Sequence, residues 1–289
     1  MRYQIDHQTI YTYSQSVVLQ PHLLRLRPRS NGWQVLHNFA LEVTPQPTGI
    51  AEIVDLDGNC CTQIWFTEPT EKLVIGVTSE VETLQDNPFN YLPEPWARQL
   101  PINYPSFLLE QLQPYLQYYG SHHDPVLIQF SQEILQEVEG NISYFLSILN
   151  QRIYQECEYC LRENGEPWPG GITWSQKRGS CRDFTLLFMD VCRLVGLATR
   201  FVSGYQEGDE EQENRELHGW VEVYIPGGGW RGYDPTLGLA VSDRHIALVA
   251  SGFPAYRAPI EGNIVPILRG GDSPPGVKLE SRLSLKKLP

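Results

Sequence analysis

The chain has 289 residues, of which 41% are hydrophobic and 19% are charged, and its formal net charge is −12 at pH 7. This length fits two domains of about 100–200 residues each, and the composition is that of a globular protein with a sizeable core. No basic cluster stands out from the acidic excess except Lys286 and Lys287 near the C-terminus. Nucleic acids and anionic membrane surfaces are therefore not the expected partners.

The N-terminus and the cysteines bear on the cellular compartment. The first residues lack the apolar run of a signal peptide, and no run of about 18 apolar residues occurs in the chain. The six cysteines are too few and too irregularly spaced for a disulfide framework in a chain of this size. We therefore expect a cytoplasmic protein with reduced thiols.

Residues 1–85 carry the pattern of an all-β domain. Residues 3–13 are rich in β-branched and aromatic side chains, which favour strands. Asp57 and Gly58 separate two further runs of this kind, a sequence that is typical of a β-hairpin. Several short strands with turn residues between them predict a sandwich or a small sheet domain.

Three further segments follow the expected β domain. Residues 86–123 contain six prolines and are predicted to be a linker. Residues 124–270 are the expected catalytic core, which begins with Asp124 as a helix cap and Pro125 in the first helical position. Helical spacing covers residues 126–138, and a second helix is expected from about 142 to 157. Residues 271–289 are expected to be a mobile tail.

Cys181 stands at the predicted start of an amphipathic helix. Ser180 is a good N-cap residue, so Cys181 falls in the first turn. Free N–H groups and the positive end of the helix dipole favour a thiolate there. The apolar side chains that recur at helical spacing are Phe184, Leu187, Phe188, Val191, Leu194 and Val195. The pattern makes Cys181 a candidate nucleophile.

Two polar residues downstream are suited to activate that cysteine. His218 opens a clearly alternating strand, and Asp234 ends the next strand after a glycine-rich turn. Antiparallel neighbours of this kind bring such side chains together when the register suits. A carboxylate then holds one imidazole nitrogen, and the other nitrogen faces the thiol. His245 is a rival base, although it follows Asp234 in the chain.

Four segments in this order resemble the bacterial transglutaminase-like cysteine protease family. They are 179–184 (Gly-Ser-Cys-Arg-Asp-Phe), 196–205 (Gly-Leu-Ala-Thr-Arg-Phe-Val-Ser-Gly-Tyr), 218–224 (His-Gly-Trp-Val-Glu-Val-Tyr) and 229–236 (Gly-Trp-Arg-Gly-Tyr-Asp-Pro-Thr). The resemblance implies that Cys181 is the nucleophile, His218 the base and Asp234 the orienting acid. It also implies an α+β, papain-like fold, with the cysteine helix packed on an antiparallel sheet. Residues 3–13 and 22–28 resemble the β-rich N-terminal domain that accompanies this core.

A thiol with a His–Asp pair performs acyl transfer, and the residues leave several outcomes open. The resemblance favours hydrolysis of a peptide or amide, hence a cysteine protease or amidase acting on a peptide or protein substrate. A transglutaminase would use the same triad, and a non-catalytic peptide-binding module is a further alternative. A metal-dependent hydrolase ranks last. Cys157 and Cys160 lack a matching second pair, so neither a metal nor a cofactor is expected.

The oxyanion of the tetrahedral intermediate needs two hydrogen-bond donors. The backbone N–H of Cys181 is one expected donor. Tyr159, Trp168 and Trp174 are candidates for the second, and the sequence does not choose among them.

Overall fold

The computed structural model describes residues 1–118, 124–162, 165–208, 217–253, 258–267 and 274–289. Within residues 1–85 the chain forms strands, as predicted. They are β1 (Arg2–Leu19), β2 (His22–Leu24), β3 (Gln34–Thr44), β4 (Gly49–Val54), β5 (Cys60–Trp65) and β6 (Thr70–Thr83). β4 and β5 are antiparallel neighbours, which confirms the hairpin predicted at Asp57 and Gly58. In β1 alternate residues such as Tyr3 and Ile5 are buried, because successive side chains of a strand point to opposite faces.

Strands from the C-terminal part of the chain complete these sheets. They are β14 (Ile260–Glu261), β15 (Ile264–Pro266) and β16 (Val277–Leu288). One sheet has the order β15-β1-β6-β3, with β16 also paired to β1, and a second sheet has the order β14-β2-β5-β4. We call the two sheets together the N-terminal unit.

The pairing of β16 corrects the expectation of a mobile tail at 271–289. β16 runs antiparallel to β1 from the pair Arg2–Leu288 to the pair Tyr13–Val277. It satisfies main-chain groups along one edge of β1, and it places Leu285 in the core of the N-terminal unit. Residues 260–266 also pair with N-terminal strands, so the expected core segment 124–270 contributes to both units.

The expected linker at 86–123 contains regular structure. A 3₁₀ turn covers Pro95–Ala97, and helix α1 covers Ser106–Leu116 with Pro114 inside it. The density of prolines hid this helix, since proline is normally a helix breaker. Residues 119–123 lie outside the described part of the chain.

The remaining elements form what we call the core unit. Its helices are α2 (Pro125–Glu137), α3 (Ile142–Glu156), α4 (Gly170–Gln176) and α5 (Cys181–Leu194). Its strands are β7 (Glu158–Tyr159), β8 (Arg178–Gly179), β9 (Thr199–Gln206), β10 (His218–Ile225), β11 (Gly229–Asp234), β12 (Leu239–Ala240) and β13 (His245–Ser251). The five-stranded antiparallel sheet has the order β12-β11-β10-β9-β13, and the apolar face of α5 packs on it.

The local sequence patterns predicted helices α2 and α3 correctly and did not predict helix α4. Asp124 caps α2 by accepting a hydrogen bond from the Val126 N–H at 2.9 Å. α4 begins at Gly170 and Gly171, inside a stretch whose composition predicted a loop. A Cβ atom at Gly171 would lie 1.8 Å from a carboxylate oxygen of Asp124, so close packing accounts for that glycine.

The two units share a hydrophobic core. Tyr3 and Ile5 of β1 are buried in the same cluster as Tyr205 of β9 and Ile246 of β13. The strands that carry the candidate site residues are therefore supported on one side by the N-terminal unit. None of the helices in the described ranges has both the length and the apolar character to cross a bilayer.

Candidate active site

Cys181 is the first residue of α5, as predicted. Ser180 is its N-cap, with an extended backbone at φ −89° and ψ 175°. The Asp183 carboxylate accepts hydrogen bonds from the Ser180 N–H at 2.7 Å and from the Ser180 hydroxyl at 2.8 Å. This capping box fixes the entry into the helix and places Cys181 in its first turn.

Asp183 also anchors the preceding loop, a role that the sequence did not reveal. It is fully buried and accepts hydrogen bonds from Arg162 at 2.6 Å and from the Trp168 N–H at 2.7 Å. Burial by itself raises the pKa of this carboxyl, but the hydrogen bonds from Ser180, Trp168 and Arg162 outweigh it and lower the pKa. The Arg162 guanidinium in turn lies 4.1 Å from the centre of the Trp168 ring.

We expect Asp183→Asn to destabilise the fold by about 3 kcal/mol or more, because it removes the charge partner of the largely covered Arg162 guanidinium and disrupts the hydrogen bonds of a fully buried side chain. Urea unfolding at neutral pH measures the effect. The exposed carboxyl of Asp86 provides the control, and Asp86→Asn should change the unfolding free energy by no more than about 0.5 kcal/mol. Equal stability of the two variants would contradict the anchoring role.

His218 and Asp234 meet at the end of the sheet that faces Cys181. His218 is the first residue of β10, and its Nε2 lies 2.7 Å from Oδ2 of Asp234, the last residue of β11. The Cys181 side chain lies close enough to His218 to help raise the pKa of the imidazole. Since Nε2 is engaged by the carboxylate, Nδ1 is the nitrogen that serves the sulfur. The structure therefore brings together all three residues that the sequence proposed.

The charge state of His218 follows from these contacts. Burial opposes the charged imidazole, but the charge and hydrogen bond of Asp234, together with the contact to Cys181, raise the pKa of His218 to about 10. Asp234 shows the complementary effect. Burial would raise its pKa, whereas His218 and His245 lower it well below the ordinary value. The pair is thus an ion pair at neutral pH.

This ion pair predicts how stability depends on pH. A histidine whose pKa is raised stabilises the fold fully below its unfolded pKa, 6.5, and loses that contribution as the pH rises towards about 10. Asp234 contributes above its unfolded pKa of 3.8 and loses this as the pH falls. We expect the wild type to exceed His218→Gln in unfolding free energy by more at about pH 6 than at about pH 10. A constant difference across this range would contradict the raised pKa.

His245, the rival base, contacts the same carboxylate oxygen as His218. Its Nε2 is 3.1 Å from Oδ2 of Asp234. Two backbone N–H groups occupy the other oxygen, Oδ1, with Thr236 at 2.9 Å and Leu237 at 3.3 Å. The carboxylate of Asp234 is fully buried and has four donors. His245 contacts the orienting acid, and His218 is the histidine that contacts Cys181.

The three oxyanion candidates occupy different surroundings. Tyr159 lines the cleft in front of Cys181. Trp174 is packed in the core, with its ring stacked on Phe130 at 3.7 Å between centroids, and it does not line the cleft. This placement overturns Trp174 as a donor, because helix α4 turns it towards α2. Trp168 serves Asp183 through its backbone. Tyr159 is the candidate that the structure retains.

The cleft in front of Cys181 has a volume of about 1590 Å³ and is lined by both units. The N-terminal unit contributes residues of β1 and β16, including His7 and Leu279. His7 Nδ1 lies 3.0 Å from the hydroxyl oxygen of Tyr205 on β9, which ties the two units together beside the cleft. Its volume exceeds the roughly 300–1000 Å³ of a typical small-molecule pocket, so it can admit a larger substrate.

Among the described residues, His218, Asp234 and His245 form a group that could hold a metal ion. Their potential ligand atoms lie within 4.8 Å of one another. One nitrogen of each imidazole lies at hydrogen-bond distance, 2.7 and 3.1 Å, from the same carboxylate oxygen. A zinc ion would instead lie between the ligands, at about 2.0–2.1 Å from each nitrogen. The arrangement fits a hydrogen-bonded carboxylate better than a metal centre. All six cysteines, which lie in the described ranges, are free thiols.

Comparison with known proteins places the chain among transglutaminase-like sequences. Residues 3–82 match the bacterial transglutaminase-like N-terminal region, and residues 128–235 match the transglutaminase-like superfamily. The uncharacterized protein ML0607 of Mycobacterium leprae is 25% identical over 270 residues, which cover 90% of this chain and 92% of that protein. The uncharacterized protein Rv2569c of Mycobacterium tuberculosis is 26% identical over 266 residues, which cover 86% of this chain and 82% of that protein.

A proposed cysteine protease from Cytophaga hutchinsonii has a similar structure. The alignment has a TM-score of 0.72 at 18% identity and covers 100% of this chain and 92% of the other. At that identity the likeness shows a shared fold. The fold and site thus define an α+β protein with a papain-like, transglutaminase-like core behind an N-terminal sheet region. The chain is thus similar to bacterial transglutaminase-like proteins over residues 3–82 and 128–235, and at the family level the match of the core supports cysteine-dependent acyl transfer or proteolysis.

Proposed function

We propose that the protein is a cysteine hydrolase that cleaves peptide or amide bonds through a thioester on Cys181, with His218 as base and Asp234 as orienting acid. The observation that carries the proposal is the position of His218, which bonds Asp234 through Nε2 and contacts the Cys181 side chain. The raised pKa of His218 keeps the imidazole charged at neutral pH. The proton taken from the thiol therefore stays on the imidazole, next to the sulfur.

Acylation follows from this arrangement. The thiolate of Cys181 attacks the substrate carbonyl carbon, a C–S bond forms, and the carbonyl electron pair moves to oxygen. The N–H of Cys181, in the first turn of α5, has no acceptor within the helix and is placed to bind that oxyanion. Collapse of the intermediate breaks the C–N bond, and His218 gives its proton to the leaving nitrogen.

Deacylation uses the same groups in reverse. His218, now neutral, takes a proton from water as the water oxygen attacks the thioester carbon. The C–S bond then breaks, the carboxylic acid product leaves, and the thiolate–imidazolium pair is restored. Asp234 keeps the imidazole in one tautomer and orientation through both steps, without itself taking the proton.

Peptide-library digestion tests this proposal. The protein is incubated with a library of unmodified peptides, and products are identified by mass spectrometry, once in buffer and once with an added primary amine. We expect new peptide termini in both samples, and none with Cys181→Ser. Products that carry the amine in place of ammonia would assign the protein as a transglutaminase. The absence of any Cys181-dependent product would contradict acyl transfer.

A further inference from the structure

We propose that His245 is a positioning residue that holds the Asp234 carboxylate ionised and turned towards His218. This inference rests on the proposed function, because it concerns the residue that orients the base. Its Nε2 and that of His218 approach the same oxygen, Oδ2 of Asp234, at 3.1 and 2.7 Å. The base is thus fixed by a carboxylate held between two imidazoles.

The His245 ring is closely packed and is directed at a single hydrogen-bond acceptor. The side chain is 3% exposed and sits at the start of β13. Trp220 contacts it edge to face, with ring centroids 5.3 Å apart. The titratable groups that face the ring are Asp234 and His218, the latter at 6.4 Å between centroids. The ring is therefore packed by the aromatic side chain of β10 and directed at one acceptor.

The unpartnered nitrogen of His245 identifies its tautomer. Among the described residues, Nδ1 is buried and has no hydrogen-bond partner. A proton on Nδ1 would be a buried donor without an acceptor, which is costly, whereas a bare lone pair in apolar surroundings costs less. The neutral ring with its proton on Nε2 is the form that fits. His245 therefore donates a hydrogen bond to Asp234 and does not share its own proton with the thiol.

The consequence is a carboxylate that cannot turn. The backbone N–H groups of Thr236 and Leu237 hold Oδ1, and the two imidazoles occupy both lone pairs of Oδ2. Without His245, Oδ2 would keep one donor in a fully buried site. The carboxylate would then be less firmly held, so it would orient the His218 ring and stabilise its positive charge less well.

The pH dependence of Cys181 alkylation tests this role without a substrate. Iodoacetamide modification of Cys181 is followed by peptide mapping from about pH 4 to about pH 9. In His245→Phe, which keeps a ring but removes the donor, we expect the acid limb to move up by about one pH unit, the value of one neutral hydrogen bond. We expect a roughly 5-fold lower rate at the wild-type midpoint. His245→Gln, whose amide nitrogen replaces Nε2–H, should restore the wild-type profile.

Two results would overturn the inference. One is a folded His245→Phe protein with the wild-type profile. The other needs no variant: imidazole nitrogen NMR of the wild type should show His245 protonated at Nε2 only, and a proton on Nδ1 at neutral pH would contradict it. If wild-type Cys181 shows no elevated reactivity, the proposed function fails instead. If Cys181 is reactive but the pH profile of its alkylation is the same in the wild type and in His245→Phe, only the positioning role is refuted.

Discussion

Cys181→Ser should lower kcat/KM for any substrate of the wild type by at least about 10⁴-fold, the range seen when a nucleophile of this class is removed. Serine keeps the shape of the side chain and its place in the first turn of α5. Its hydroxyl does not ionise next to His218 at neutral pH, so the ion pair that attacks the carbonyl does not form. The fold should be retained, because the substitution adds no volume to a side chain that already borders the cleft.

A second cysteine supplies the control for that variant. Cys60 is exposed on β5 in the N-terminal unit, and Cys60→Ser should keep wild-type activity. Peptide-cleavage rates and circular dichroism on both variants separate lost chemistry from lost structure. A Cys181→Ser protein that keeps more than about a tenth of the activity would refute the assignment of the nucleophile.

Asp234→Asn should have the next largest effect, a loss of about 10³–10⁴-fold in kcat/KM. Four donors converge on the carboxylate, two from imidazoles and two from the backbone. An amide has one acceptor oxygen and one donor nitrogen. It can therefore accept hydrogen bonds from the donors at one of the two carboxylate oxygen positions and not from those at the other. If its N–H₂ faces His218, Nε2 becomes the acceptor and the proton moves to Nδ1, the nitrogen needed to take the thiol proton.

The kinetics of this variant distinguish orientation from unfolding. At neutral pH, Asp234→Asn should also lose the stability that the lowered pKa of the carboxylate supplies, and urea unfolding measures that loss. The activity should remain low under conditions in which the variant is fully folded. Asp86→Asn is the surface control and should match the wild type in both measurements. Full activity in folded Asp234→Asn would contradict an orienting carboxylate.

Local patterns in the sequence were sufficient to predict the elements that carry the proposed catalytic residues. Ser180 and the apolar stripe of α5 predicted a helix that starts at Cys181, and the structure has that helix. The alternation after His218 and the glycine-rich turn before Asp234 predicted two adjacent antiparallel strands, which are β10 and β11. Such signals depend on a few neighbouring residues, and so they can be seen in one chain.

The parts that the sequence did not reveal depend on contacts between distant residues. β16 pairs with β1, its partner from the other end of the chain, and the even spacing of Val277, Leu279, Leu283 and Leu285 indicates a strand without showing which edge it pairs with. The hold of Arg162 on Asp183 joins a loop to a helix cap, and the contact of His245 with Asp234 crosses the sheet. The burial of Trp174 could not be predicted for the same reason, because it depends on how α4 packs against α2.

The most direct test of an activated Cys181 is to compare the rates at which iodoacetamide modifies the six cysteines of the folded wild type near neutral pH. Peptide mapping resolves each site. We predict that Cys181 reacts roughly 100-fold faster than the exposed Cys60, because the base His218 lies next to its sulfur, and that buried Cys192 stays unmodified. Modification of Cys60 or Cys192 while Cys181 remains a thiol would contradict the account.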